Sequence, residues 1–279
     1  RKEATAYNNK PSDYVARSTA ILFNHENAWS IERQKQNATW NTMAHIEKYY
    51  RTLKSFGAPV DFITEEKDFN RYPVMIVPAY QLADEPLVSR WVDYVRKGGN
   101  LVVTCRTAQK DRYGRLPEAA FGSLINGLTG NKMDFYDLLL PGDPGLVKMD
   151  GKEYQWNTWG EILIPGETSE VWATYQKEFY DGKPAVTHYK LGKGSVTYVG
   201  VDSFDGKLEA EILKKLYARL GIGVQSLPYG VTMEYRNGLG IVLNYSDQPY
   251  QFTLPKGSKV LIGNTLISTA GVLVFKLNN

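Results

Sequence analysis

Cys105 is the only cysteine in this chain of 279 residues, and it ends an apolar run, Asn100-Leu-Val-Val-Thr104. A thiol at the end of a strand can attack a substrate if a tight turn exposes the sulfur and a histidine lies within hydrogen-bond reach. Three histidines are available: His25, His45 and His188. His45 falls inside a predicted helix and His188 inside a predicted strand. His25 follows the first strand, so the same sheet edge can carry both it and Cys105. The flanks Val103-Thr104-Cys105-Arg106-Thr107 lack the glycines or small residues of a nucleophile turn. The reading that needs the fewest additional groups is a structural thiol, a small hydrophobe in a core.

Other chemistry is thinner. Glu26, Glu65, Glu66, Asp84 and Asp202 occupy predicted loops, and no spacing pairs two of them across a sugar as a glycosidase requires. Asp150-Gly-Lys, Asp181-Gly-Lys and Gly192-Lys-Gly-Ser read as hairpin turns rather than phosphate-binding loops. A single cysteine excludes an internal disulfide and a multi-thiolate metal site, and no His/Asp/Glu cluster has metal spacing. No cofactor and no metal are expected. Asn37-Ala-Thr39 is a formal glycosylation sequon.

The elements that must position these residues follow from periodicity. Residues 1–16 read as a linker or arm. Residues 16–24 contain a strand ending in a polar loop, HENAWSIERQKQ. A helix capped by Asn37 carries Trp40, Met43, Ile46, Tyr50 and Leu53 at helical spacing and stops at Gly57. Strands Val60-DFI and Val74-MIV follow. A helix over 85–97 has Asp84 as its cap and Leu87, Val88, Trp91, Val92 and Val95 as its buried face. Gly98-Gly99 ends it and opens the strand NLVVT. This alternation predicts a parallel sheet with helices on both faces, an α/β domain resembling the flavodoxin-like and class I glutamine amidotransferase folds. Residues 130–204 read as its far half with antiparallel additions, and a helix over 207–220 closes it. The expected boundaries are 17–222 for this domain and 223–279 for a small all-β domain of short strands and turns.

Bulk numbers exclude some partners. The charges nearly cancel, with 33 basic and 30 acidic residues, so no footprint for nucleic acid or an anionic membrane is present. No apolar run approaches the eighteen or so residues of a membrane span. No signal-like segment opens the chain, and it begins at Arg1, which reads as a piece of something longer. The compartment stays open between cytoplasmic and periplasmic or secreted. Nineteen Tyr and six Trp suit either packing or stacking on pyranose faces.

Four segments carry a family resemblance: RSTAILFNHENAWSIE, VDFITEEKDFNRYPVMIVPAYQLAD, WVDYVRKGGNLVVTCRTAQKD and IVLNYSDQPYQFTLP. In order and spacing they resemble the C-terminal half of glycoside hydrolase family 42 β-galactosidases. The first three are similar to its trimerisation domain and the fourth to its small C-terminal β domain. The family's barrel, with both catalytic glutamates, has no counterpart here, so the resemblance transfers no catalytic residue. It implies a non-catalytic assembly module that forms a trimer beside the catalytic barrel of a glycosidase. It also implies that loops at the C-terminal sheet edge rim a neighbour's sugar pocket. His25, Glu26, Trp29 and Arg106 are the residues expected there. The alternatives are a stand-alone carbohydrate-binding protein and a Cys105-dependent, amidotransferase-like hydrolase.

Overall fold

A computed structural model describes residues 19–57, 60–140, 142–236 and 238–277. The predicted arm at 1–16 lies outside these. Contacts divide the chain into two compact units. The first holds Ala20–Tyr49 and Asp61–Glu211, and the second holds Thr19, Tyr50–Val60 and the chain from Ile212 onward.

The chain opens with β1 (Thr19–Leu22), α1 (His25–Arg33), α2 (Thr42–Ser55), β2 (Val60–Ile63), β3 (Val74–Val77), α3 (Glu85–Arg96) and β4 (Asn100–Thr104). Most of these segments follow the sequence closely. The Asp84 carboxylate accepts from Leu87 N at 3.0 Å and caps α3, whose Leu87, Val88, Trp91, Tyr94 and Val95 are buried. That face packs on Met75, Val77, Leu101 and Val103 of β3 and β4. Each such fully buried side chain contributes about 1.5–3 kcal/mol. β3 and β4 are buried at every position, so neither shows alternation. Gly99 is required by packing, since a Cβ there would lie 2.2 Å from the Tyr94 ring.

Two helix readings need correction. The predicted polar loop HENAWSIER is α1, capped by the Asn24 side chain, which accepts from Asn27 N at 3.2 Å. Only Asn27, Ala28 and Ile31 of α1 are buried, too few apolar residues for a visible stripe. Asn37 does not cap α2. Asn41 accepts from Ala44 N at 3.0 Å there, while the Asn37 amide donates to Leu139 O and Thr158 O.

After α4 (Asn126–Thr129) come seven strands: β5 (Asn131–Asp137), β6 (Gly145–Met149), β7 (Lys152–Pro165), β8 (Glu170–Gln176), β9 (Pro184–Leu191), β10 (Gly194–Val199) and β11 (Val201–Ser203). They join the first four in one eleven-stranded sheet, ordered β11-β7-β6-β8-β9-β10-β4-β3-β1-β2, with β5 also paired to β7. β10 and β3 run parallel to β4, with Ser195 opposite Asn100 and Val199 opposite Thr104. The pairs β5–β7, β6–β7, β6–β8, β8–β9, β9–β10 and β7–β11 are antiparallel. The expected parallel sheet with helices on both faces is therefore corrected to a mixed sheet. Two-residue turns at Asp150-Gly151 and Gly192-Lys193 close hairpins, whereas a parallel neighbour needs a long crossover.

α5 (Lys207–Arg219) leads to the small strands β12 (Val231–Arg236), β13 (Leu239–Asn244), β14 (Tyr250–Gln251), β15 (Lys259–Ile262), β16 (Leu266–Ile267) and β17 (Val272–Lys276). β12-β13-β17-β15 form one antiparallel sheet, and β14 pairs with β16. Their core holds Val231, Met233, Val242, Phe252, Leu273 and Phe275. Within this second unit, Lys54 pairs with Glu234, and Gly57 lies against Met233.

Candidate functional site

The segments that follow β1, β3 and β4 converge beside Cys105. Ala79, Arg106 and Ala108 there take left-handed φ values of 45°, 66° and 56°, conformations that cost side chains with a Cβ about 1 kcal/mol each. Cys105 is fully buried among Ile31, Trp40, Ala79 and Trp159. Burial, then the nearby Glu161 and Asp202 carboxyls, push its thiol well above the ordinary range. A nucleophile needs the opposite, an accessible sulfur with a lowered pKa. His25 does not join it. His25 is exposed, with its ring edge-on to Phe23 at 4.9 Å and 5.7 Å from the Trp29 ring.

Arg106 is also corrected. It stands at the expected sheet edge but is fully buried and presents nothing to solvent. Its guanidinium lies 4.6 Å from the Trp40 ring centre and 4.4 Å from that of Trp159. Nη1 donates to Lys35 O at 2.9 Å, and Nη2 to Gln36 Oε1 at 3.1 Å. Burial pushes its pKa down to about 10, which leaves it charged at neutral pH. Its work is to tie the α1–α2 connection to the sheet, through packing and a fixed fork of donors.

Two buried carboxyls anchor this edge, and no motif spacing in the sequence announces their roles. Glu161 Oε1 accepts from Arg106 N at 2.8 Å, Gln109 Nε2 at 2.8 Å and Trp159 Nε1 at 3.1 Å, while Oε2 accepts from Tyr198 OH at 2.6 Å. Burial outweighs these donors and raises its pKa. The visible signal is a lone acid inside the buried β7 run Trp159-Gly-Glu-Ile-Leu. Asp202 faces His45 Nδ1 and Lys48 Nζ, each at 2.7 Å, and accepts from Thr158 Oγ1 at 2.9 Å. Burial pushes Asp202 up, but His45 and Lys48 outweigh it and hold its carboxyl below the ordinary value. His45 Nε2 lies 2.9 Å from Thr104 Oγ1, which in turn accepts from Ala79 N at 2.7 Å. Both carboxyls are held by internal donors, an arrangement suited to fixing an edge rather than to turning over a substrate. Among the described residues no group of three His, Cys, Asp or Glu side chains is placed to hold a metal ion.

The solvent-facing chemistry lies on α1. Glu26 and His25 are exposed, and Trp29 is 61% exposed. A shallow depression is lined by Trp29, Glu32 and Arg33. Glu32 is held by Lys35 at 2.8 Å and by Thr42 N at 3.2 Å, which keep its carboxyl below the ordinary range. An aromatic face flanked by a fixed carboxylate and a guanidinium can stack on a pyranose and bind its hydroxyls.

Comparison with known proteins gives the affiliation. The profile of the β-galactosidase trimerisation domain matches residues 17–226, and that of the β-galactosidase C-terminal domain matches residues 230–277. The β-galactosidase BgaH of Haloferax lucentense is 29% identical over 91% of this chain and 38% of its own length. The β-galactosidase GanA of Bacillus subtilis is 27% identical over 90% of this chain and 38% of its own. The solved β-galactosidase of Halorubrum lacusprofundi superposes with a TM-score of 0.87 at 25% identity, covering 98% of this chain and 41% of that one. The chain thus spans about two fifths of the length of these relatives. With its mixed sheet and these neighbours, the flavodoxin-like and amidotransferase-like labels are replaced. The chain belongs to the glycoside hydrolase family 42 β-galactosidases, of which it carries the trimerisation and C-terminal domains.

Proposed function

We propose that this chain is the assembly portion of a β-galactosidase: it self-associates as a trimer and holds each catalytic barrel against a neighbouring subunit. The observation that carries this is the head-to-tail match of both non-catalytic domains over nearly the whole chain. The boundary near residue 222 belongs to the same reading, supported by the gap between the two matches at 226 and 230. In it, His25, Glu26 and Trp29 rim a neighbour's sugar pocket, with Glu32 and Arg33 completing the depression on α1. Arg106 supports that rim from below through the α1–α2 connection.

Light scattering on the purified chain tests the assembly. A particle of three times the chain mass is expected, and a strict monomer both here and in the longer enzyme overturns the reading. The rim is tested in the longer enzyme by Trp29→Ala. Loss of stacking raises KM for a β-galactoside by about tenfold, equivalent to about 1.4 kcal/mol, with little change in kcat.

A further inference from the structure

Tyr229 and Tyr245 are 79% and 71% exposed, although each ring offers a large apolar face. They sit on neighbouring backbone segments of the second unit, where Tyr245 N donates to Gly230 O at 2.8 Å. Both segments are pinned. Gly230 has φ +82°, and a Cβ on it would fall 2.9 Å from Ser246 N. Asn244 is buried, and its amide donates to Gln248 O at 2.8 Å and Ile267 O at 3.0 Å. Its oxygen accepts from Ser246 N at 2.9 Å and Ser246 Oγ at 2.6 Å. Arg51 Nη1 donates to the Tyr229 hydroxyl at 2.9 Å, with the guanidinium 5.7 Å from the ring centre. Besides Arg51, the exposed residues of these segments are the polar Asp247 and Gln248 and the prolines Pro228 and Pro249.

We propose that Tyr229 and Tyr245 form a carbohydrate-binding platform on the β domain, which takes a short oligosaccharide. Arg51 and Asp247 are the groups that bind its hydroxyls. Pyranose rings pair an apolar C–H face with a rim of hydroxyls, and this surface alternates in the same way. Tyr rings give large, stiff contact area with little rotamer entropy to lose, and the pinned turn removes most of the backbone cost of binding. A protein partner would ask for a contiguous patch of about 800 Å². Two rings whose only exposed apolar neighbours along their segments are Pro228 and Pro249 fall short of such an apolar core. Galactosyl units are the natural probe because of the preceding functional reading, but the platform does not depend on it.

The test is saturation-transfer NMR and calorimetry on the full chain with β-1,4-linked galactotriose. Wild type is expected to bind, Tyr229→Ala and Tyr245→Ala each to lose about tenfold in affinity, and Tyr113→Ala, which removes an exposed ring of the first unit, to bind as wild type. Unchanged melting temperatures confirm that the exposed substitutions leave the fold intact. The proposal is overturned if wild type shows no transfer, or if the double tyrosine variant binds unchanged. It is also overturned if only Trp29→Ala loses binding, which would place the sugar on α1, or if the tyrosine substitutions change the particle mass instead.

Discussion

Glu161 shows how much one side chain decides. Three N–H donors and a tyrosine hydroxyl converge on its two oxygens. Glu161→Ala strands all four and opens a cavity, so a loss of about 4–5 kcal/mol is expected in urea denaturation. Glu161→Gln keeps one oxygen toward the three N–H groups and turns an amide toward Tyr198, so the expected loss is within about 1 kcal/mol. The pH dependence separates charge from shape. Burial raises the folded pKa of Glu161, so its contribution to stability is full below the ordinary glutamate value and is lost as pH rises through the folded value. Wild-type stability should therefore decline from mildly acidic toward neutral pH, and Glu161→Gln should flatten that slope. Asp202 works with the opposite sign. Its pKa is depressed, so its contribution holds across that window and is lost only in stronger acid. Asp202→Ala removes the carboxylate that His45 and Lys48 contact at 2.7 Å, leaving Lys48 only the Glu209 carboxyl nearby, and should cost about 3–5 kcal/mol, read as a fall in the urea midpoint.

At the scale of elements, α3 and β4 are held by features visible in the sequence. Asp84 caps the helix, and Gly99 admits the Tyr94 ring. Gly99→Ala forces that ring or the backbone to move and should cost about 1–3 kcal/mol, measured as a drop in melting temperature. These segments were legible because cap, period and stop all agree. The hairpins at Asp150-Gly151 and Gly192-Lys193 were legible for the same local reason. α1 was not, because its buried face is one isoleucine, one alanine and one asparagine. The sheet's mixed character was not either, because strand direction depends on partners distant in sequence. Arg106 follows directly on the end of β4 in the sequence, but nothing local shows that two tryptophans enclose it.

At the scale of the whole molecule, the second unit is more than its C-terminal strands. It includes Lys54 with Glu234, Gly57 against Met233, and Arg51 with Tyr229. A fragment spanning 223–279 lacks these supports and is below the size at which a core is secure. Its amide spectrum should be poorly dispersed, whereas residues 238–277 should give dispersed signals in the intact chain. The register of β10 on β4 has a different consequence, for biosynthesis. Asn100 meets Ser195, so one edge of the buried strand β4 has no partner until almost 100 further residues have been made. At about 5–20 residues per second, the ribosome leaves that apolar edge bare for several seconds or more. During that time it can template pairing with another nascent chain. Yield in a cell should then depend on how quickly residues 105–199 emerge and on which chaperones cover the edge meanwhile, even for variants whose finished fold is as stable as the parent's.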